Sequence, residues 1–289
     1  MSGADSRLSL ARPGLAAAGL EGLIAADRFV DPEPMRTLAP LAAVRRAPDI
    51  CAEQLDQLLF GEAFDALEIA GGWAFGQARR DGYVGLVEMA ALGSPGPPPT
   101  HWVSALATFA HAEPAIRSPA NGPISHGAVL ATEEDSGAFL RAAGLGWVPK
   151  VHLRAIGEVE SDFVAVAERH LGVPYLWGGR SSAGLDCSGL ILQSLFACGR
   201  GCPRDSDQQA LLGEDAAGEP RRRGDLVFWR GHVGVMVDGE RLLHANAHAM
   251  AVAVEPLAAA RARIAAAGGG ELTAARRLPL VSTAEIRAS

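Results

Sequence analysis

Pro174-Tyr175-Leu176-Trp177-Gly178-Gly179-Arg180, running on to Gly184-Leu185-Asp186-Cys187-Ser188-Gly189-Leu190, is the stretch on which the reading of this chain turns. The glycines allow a tight loop, and Asp186 is a good cap for a helix that opens at Cys187. A thiol in a first helical turn feels the helix dipole and N–H groups that have no partner within the helix. Both favour thiolate over thiol, the form a cysteine nucleophile needs. The backbone N–H beside Cys187 is also placed to hold an oxyanion.

Such a thiol needs a base. Gly231-His232-Val233-Gly234 opens a strand after Gly224-Asp225-Leu226-Val227-Phe228-Trp229, and His232 can take the Cys187 proton and return it to a leaving amine. A further group must orient that imidazole through its second nitrogen, and His244, in Leu242-Leu243-His244-Ala245, is the candidate. Strand parity tests the pairing. A two-residue loop at Asp238-Gly239 would put the two histidines on opposite faces of the sheet. A three-residue loop with Gly239 left-handed, or an equivalent bulge, would put them side by side, and this is the expected arrangement.

Outward from this centre, Ser161 to Leu171 carries an apolar face at Phe163, Val164, Ala167 and Leu171, and predicts a helix capped by Ser161. Asp225–Trp229, His232–Val237, Arg241–Ala245 and Glu271–Leu278 read as strands. A helix bearing a nucleophile against a sheet gives an α+β unit over residues 158–289. Towards the N-terminus, Phe64 to Ile69, Trp73 to Ala78 and Tyr83 to Val87 alternate between turns at Gly71-Gly72 and Asp81-Gly82. They predict a small β-barrel over residues 46–95. Gly93 to Pro99 reads as a stiff linker. Phe139 followed by Gly146-Trp147-Val148 faintly echoes Trp73-Ala74-Phe75 followed by Gly82-Tyr83-Val84, which predicts a second barrel over residues 100–157. Residues 1–45, rich in Ala, Leu and Pro, read as an arm with helical turns near Leu15 to Ala26.

Bulk properties narrow the class. Across 289 residues the formal net charge is −7, so there is no basic excess to neutralise phosphates, and nucleic acid is excluded as a partner. No stretch is long and apolar enough to cross a bilayer, and the N-terminus does not read as a signal peptide, so a cytoplasmic setting without a membrane partner is expected. Cys51, Cys187, Cys198 and Cys202 do not suggest a secreted disulfide framework, and Cys198 and Cys202 lack the second pair that a zinc site requires. Gly178-Gly179 is not followed by a phosphate-loop lysine, and Arg221-Arg222-Arg223 reads as a solvated cluster. No metal, cofactor or obligate protein partner is expected.

The motifs PYLWGG, GLDCSGL, PRDSDQQ, GDLVFW, HVGV and LLHAN occur in this order, and residues 158 to about 280 resemble the NlpC-type family of papain-like cysteine peptidases. The two barrels before them resemble bacterial SH3-like domains. The resemblance implies an α+β papain-like catalytic domain in which Cys187 is nucleophile, His232 base and His244 its orienter, with Tyr175 lending its hydroxyl to the oxyanion hole. It further implies hydrolysis of small murein peptides. The subgroup with two SH3-like domains acts as dipeptidyl peptidases on peptides with a free N-terminal L-Ala, cutting between γ-D-Glu and a diamino acid during murein recycling. Asp205 and Ser206 would then receive the ammonium, Trp177 would line the pocket, and Tyr83 of the first barrel would close it. Glu53 and Asp56 are both candidates for an assisting acid. Two alternatives stand beside this: an endopeptidase or amidase on intact peptidoglycan, and a non-catalytic protein that binds wall peptides.

Overall fold

The computed structural model describes residues 5–279. The chain divides into two compact units, with the boundary between Ile156 and Gly157.

The first unit holds two strand-rich cores. Seven antiparallel strands form the first sheet, in the spatial order 92–93, 33–37, 63–70, 73–78, 84–88, 41–45 and 54–59. Alternation buries Met35, Val44, Leu58, Phe64, Ala74 and Val87 in one core, as a half-buried pleat requires. This sheet begins inside the segment read as an arm. Pro34 sits in the strand Glu33–Thr37 and Pro40 just before the strand Leu41–Arg45, so the prolines mark strand positions and a turn rather than an unpaired tail. The expected helical turns near Leu15 are instead a strand, Leu15–Ala17, followed by a single 3-10 turn, Ala18–Leu20.

The second sheet runs 120–125, 107–111, 146–149, 139–142 and 132–136 in spatial order. The echo seen in the sequence is a shared hairpin: Trp73–Ala78 pairs with Val84–Glu88, and Phe139–Ala142 pairs with Gly146–Pro149. The two cores are separate but are fed by neighbouring residues at the end of the strand Gln54–Leu59. Leu58 packs in the first, whereas Leu59 and Phe60 pack with Val103, Ile124, Leu130 and Val148 in the second. Gly61, at φ +81°, has no Cβ because the carbonyl oxygen of Val129 would lie 2.0 Å from it.

The second unit is α+β. Its helices are α1 (Phe163–Glu168), α2 (Cys187–Ala197), α3 (Ser206–Gln209) and α4 (Leu257–Ala266). Its strands are β1 (Glu214–Asp215), β2 (Asp225–Trp229), β3 (His232–Met236), β4 (Arg241–Asn246), β5 (Ala251–Pro256) and β6 (Ala274–Arg277), in the antiparallel order β1-β6-β2-β3-β4-β5. The cap of α1 is Asp162, not Ser161. Its carboxylate accepts from the N–H groups of Val164 and Ala165 while also pairing with Arg223, a charge-assisted role that a serine cannot fill. Helix α2 is buried on nearly all sides, so its apolar residues show no single stripe.

Candidate active site

Asp186 organises the front of α2. One carboxylate oxygen accepts from the Gly189 N–H at 2.7 Å, capping the helix, and the other accepts from the Gly178 N–H at 2.9 Å, pinning the Trp177–Gly179 loop. Both oxygens also receive Arg204, at 3.0 and 2.7 Å, with Arg204 wholly enclosed. The loop can approach this closely because residue 189 is glycine: a Cβ there would stand 2.1 Å from the Gly179 carbonyl oxygen. Gln209 of α3 donates to the Ser188 and Pro203 carbonyls, so Asp205 and Ser206 are held near the start of α2. Asp205 occupies the N-cap position of α3, yet its side chain makes no capping bond.

Cys187 is buried, and its sulfur accepts hydrogen bonds from the backbone N–H groups of Val233 and Ser188. The nucleophile candidate thus lies against the residue that follows His232. Burial pushes this thiol up to about 12, the neighbouring Asp186 carboxylate adds to the rise, and the two N–H groups and Arg204 offset it only in part. The helix terminus favours the thiolate, as expected, but loss of water outweighs the dipole, so the sulfur needs the base that the sequence also called for. Tyr175, whose hydroxyl feels the charges of Cys187 and Asp186, is likewise pushed up to about 12 by burial, so it stays protonated and able to donate.

His232 and His244 do stand side by side. The Val237 N–H donates to the Arg241 carbonyl across a three-residue loop, Asp238–Glu240. Register then places both histidines on one face, and His232 Nε2 lies 2.8 Å from His244 Nδ1. The parity expected from sequence holds through the expected three-residue loop, but the conformation of that loop differs. Gly239 is not in the left-handed region. The Asp238 carboxylate instead shapes the turn by accepting from the Glu240 and Arg241 N–H groups at 2.8 and 2.7 Å. Gly234 lies across from His244, where a Cβ would come within 3.1 Å of the His244 Cβ. Burial drives His232 down to about 3, reinforced by His244 and Arg263, and it drives His244 down against the opposing pull of Glu255.

The pair does not end at His244. His244 Nε2 is 2.8 Å from Glu255 Oε1, and Glu255 is ion-paired with Arg263 of α4. Neither Glu255 nor Arg263 is marked by a motif, and the buried Arg204 lies inside the PRDSDQQ stretch without its pairing with Asp186 being legible there. Their roles depend on register between β4 and β5 and on helix docking, which local spacing does not carry. Trp177 is 58% exposed on its loop. Tyr83 is buried and belongs to the other compact unit, as do Glu53, paired with Arg46 on the surface, and the enclosed Asp56. His248 lies in the exposed turn between β4 and β5.

Residues 172–263 match the model of the NlpC/P60 family. They form an NlpC/P60 domain. Residues 44–92 match the model described as the bacterial dipeptidyl-peptidase Sh3 domain. The chain is 38% identical over 91 residues to the gamma-D-glutamyl-L-lysine dipeptidyl-peptidase of Bacillus subtilis, covering 29% of this chain and 31% of that protein. A probable endopeptidase of Mycobacterium tuberculosis is 29% identical over 180 residues, covering 61% of this chain and 44% of the relative. The chain therefore spans less than half the length of these curated relatives. A crystal structure of an NlpC/P60 family protein from Bacillus cereus superposes with a TM-score of 0.73 at 19% identity, over 86% of this chain and all of that one, and so shares the fold. Cys187, His232 and His244 all fall inside the NlpC/P60 domain; Tyr83 falls inside the SH3 match. Among the described residues, no helix is long and apolar enough to cross a membrane.

Proposed function

We propose that the NlpC/P60 domain is a cysteine peptidase that hydrolyses small cell-wall peptides, with Cys187 as nucleophile, His232 as base and His244 as the group that orients it. The observation that carries this reading is the 2.8 Å contact between His232 and His244, next to a capped helix whose first residue presents its sulfur to the Val233 N–H. With His232 Nε2 engaged by His244, His232 Nδ1 is the nitrogen left to receive the thiol proton. Sulfur then attacks the amide carbon, and the carbonyl oxygen takes the charge, facing the Cys187 N–H and the protonated Tyr175 hydroxyl. The C–N bond breaks as His232 returns its proton to the amine, leaving an acyl-thioester. Water, deprotonated by the same imidazole, completes hydrolysis and restores the thiol.

The substrate class follows from chemistry and likeness together. An ammonium needs a carboxylate and a hydroxyl, which Asp205 and Ser206 supply beside α2. The SH3 match and the B. subtilis relative carry dipeptidyl-peptidase names. On this reading the enzyme releases L-Ala-γ-D-Glu from peptides with a free N-terminal L-Ala, with Trp177 lining the pocket, in the recycling of released wall fragments in the cytoplasm. The longer alignment with an endopeptidase favours a second reading, cleavage of intact wall.

Incubation with L-Ala-γ-D-Glu-diamino acid peptides, with and without N-acetylation, separates these readings. Hydrolysis is expected for the free peptide and is lost in Cys187→Ala. Activity surviving in Cys187→Ala removes the mechanism, and equal turnover of the acetylated peptide favours the endopeptidase.

A further inference from the structure

The hydrogen-bond chain behind His232 ends on a carboxylate, and that end determines where every proton sits. Glu255 Oε1, held by Arg263, can only accept, so at 2.8 Å His244 Nε2 must carry a proton. A neutral imidazole has one N–H, and burial keeps His244 neutral, so His244 Nδ1 is bare. At 2.8 Å from His232 Nε2, that bare nitrogen must accept, so His232 carries its proton on Nε2. We propose that Glu255, fixed by Arg263, is a positioning residue that sets the tautomers of His244 and His232 in turn and leaves the His232 lone pair on Nδ1 for the Cys187 thiol.

The fold explains why this residue holds the position. In the β4–β5 register His244 faces Ala253 and Leu242 faces Glu255. Glu255 is therefore the diagonal neighbour of His244 on the same face, within reach of a long side chain. Ala253 leaves space for it. Strand β5 ends at Pro256, and α4 starts at once with Leu257, which returns Arg263 to the Glu255 carboxylate. Without the carboxylate, the His232–His244 contact would be equally satisfied with both protons moved, His244 donating from Nδ1 and His232 accepting at Nε2. His232 would then present an N–H to the sulfur, where a base is required. The charged groups acting on the two imidazoles are Glu255, which favours protonation of His244, and Arg263, which opposes protonation of both.

This inference rests on the cysteine-peptidase reading, and its test separates the two. Wild type, Glu255→Gln and Glu255→Leu are compared by 15N spectra of histidine-labelled protein and by kcat and KM on the free peptide, with Cys187→Ala as control. Wild type is expected to show His232 and His244 both protonated at Nε2. Glu255→Leu is expected to shift signal towards the Nδ1-protonated forms and to lower kcat about 10- to 100-fold, the usual effect of removing an orienting partner, with KM within about twofold. Glu255→Gln, which keeps an acceptor oxygen, should recover most of both. Unchanged tautomers and kcat in a folded Glu255→Leu protein would overturn the proposal, as would His232 protonated at Nδ1 in wild type. Activity in Cys187→Ala would instead strike at the peptidase reading, while the spectra would still decide the tautomers.

Discussion

At the scale of single residues, the site is built from groups that burial keeps neutral. Cys187 is driven up and His232 down, so neither ionises alone at neutral pH. Formed together, thiolate and imidazolium attract each other in a site that excludes water, and each offsets the other's desolvation. Replacing His232 by Ala removes the imidazolium and leaves burial and Asp186, which the two N–H groups and Arg204 offset only in part. Alkylation of Cys187 by iodoacetamide, mapped by mass spectrometry with the exposed Cys51 as internal reference, should then fall sharply at pH 7 and recover only at strongly alkaline pH. An alkylation profile unchanged by His232→Ala would show that the two groups do not titrate as a pair. Tyr175 adds a second test at this scale. Its hydroxyl stays protonated, so it can donate to an oxyanion throughout the working range. Tyr175→Phe should lower kcat about 100-fold with little change in KM, as loss of one oxyanion donor does elsewhere. An equal loss in both parameters would indicate a binding role instead.

At the scale of elements, the site depends on how α2 is held at its first turn. Asp186 caps the helix, anchors the 177–179 loop and pairs with an enclosed arginine from the Pro203–Asp205 segment. Removing one partner of such a pair strands the other charge in a dry interior. Arg204→Met should therefore destabilise the fold by about 3–5 kcal/mol, measured by chemical denaturation. A change below about 1 kcal/mol would mean that water reaches the carboxylate. The sequence exposes some of this architecture and hides the rest. Asp186 as a cap, Cys187 at a helix start and the strands of the two histidines follow from local spacing and turn chemistry. The parity of His232 and His244 was decidable too, since only loop length mattered. What local spacing hides is tertiary: Arg204 and Glu255 earn their places from register and docking. The true cap at Asp162 was obscured because Ser161 stands beside it and either residue type suits an N-cap. Strands 33–37 and 41–45 were obscured by prolines that, in place, interrupt no ladder.

At the scale of the whole molecule, each compact unit has its own means of staying folded. The first joins two strand cores through residues 58–60, and the second surrounds α2 and packs α4 against its sheet through Ala260, Met236 and Leu242. The second unit also carries a liability to acid. His170, just beyond α1, is almost fully enclosed, its Nδ1 lies 3.0 Å from the Val166 carbonyl, and burial lowers it to about 4. Unfolding releases it towards its ordinary value near 6.5. Below that value the unfolded chain binds a proton that the folded chain does not, so stability is full above about pH 6.5 and falls as the pH drops towards 4. The loss from this one histidine is on the order of 3 kcal/mol at the acid end, and His232 and His244 act in the same direction. Calorimetry of the full chain should show a transition whose midpoint falls steadily between pH 7 and pH 4.5. In His170→Gln, which cannot titrate, that slope should be visibly shallower even if the variant is less stable at pH 7. Parallel pH dependences for wild type and His170→Gln would show that His170 is protonated equally in both states and contributes nothing to the acid sensitivity.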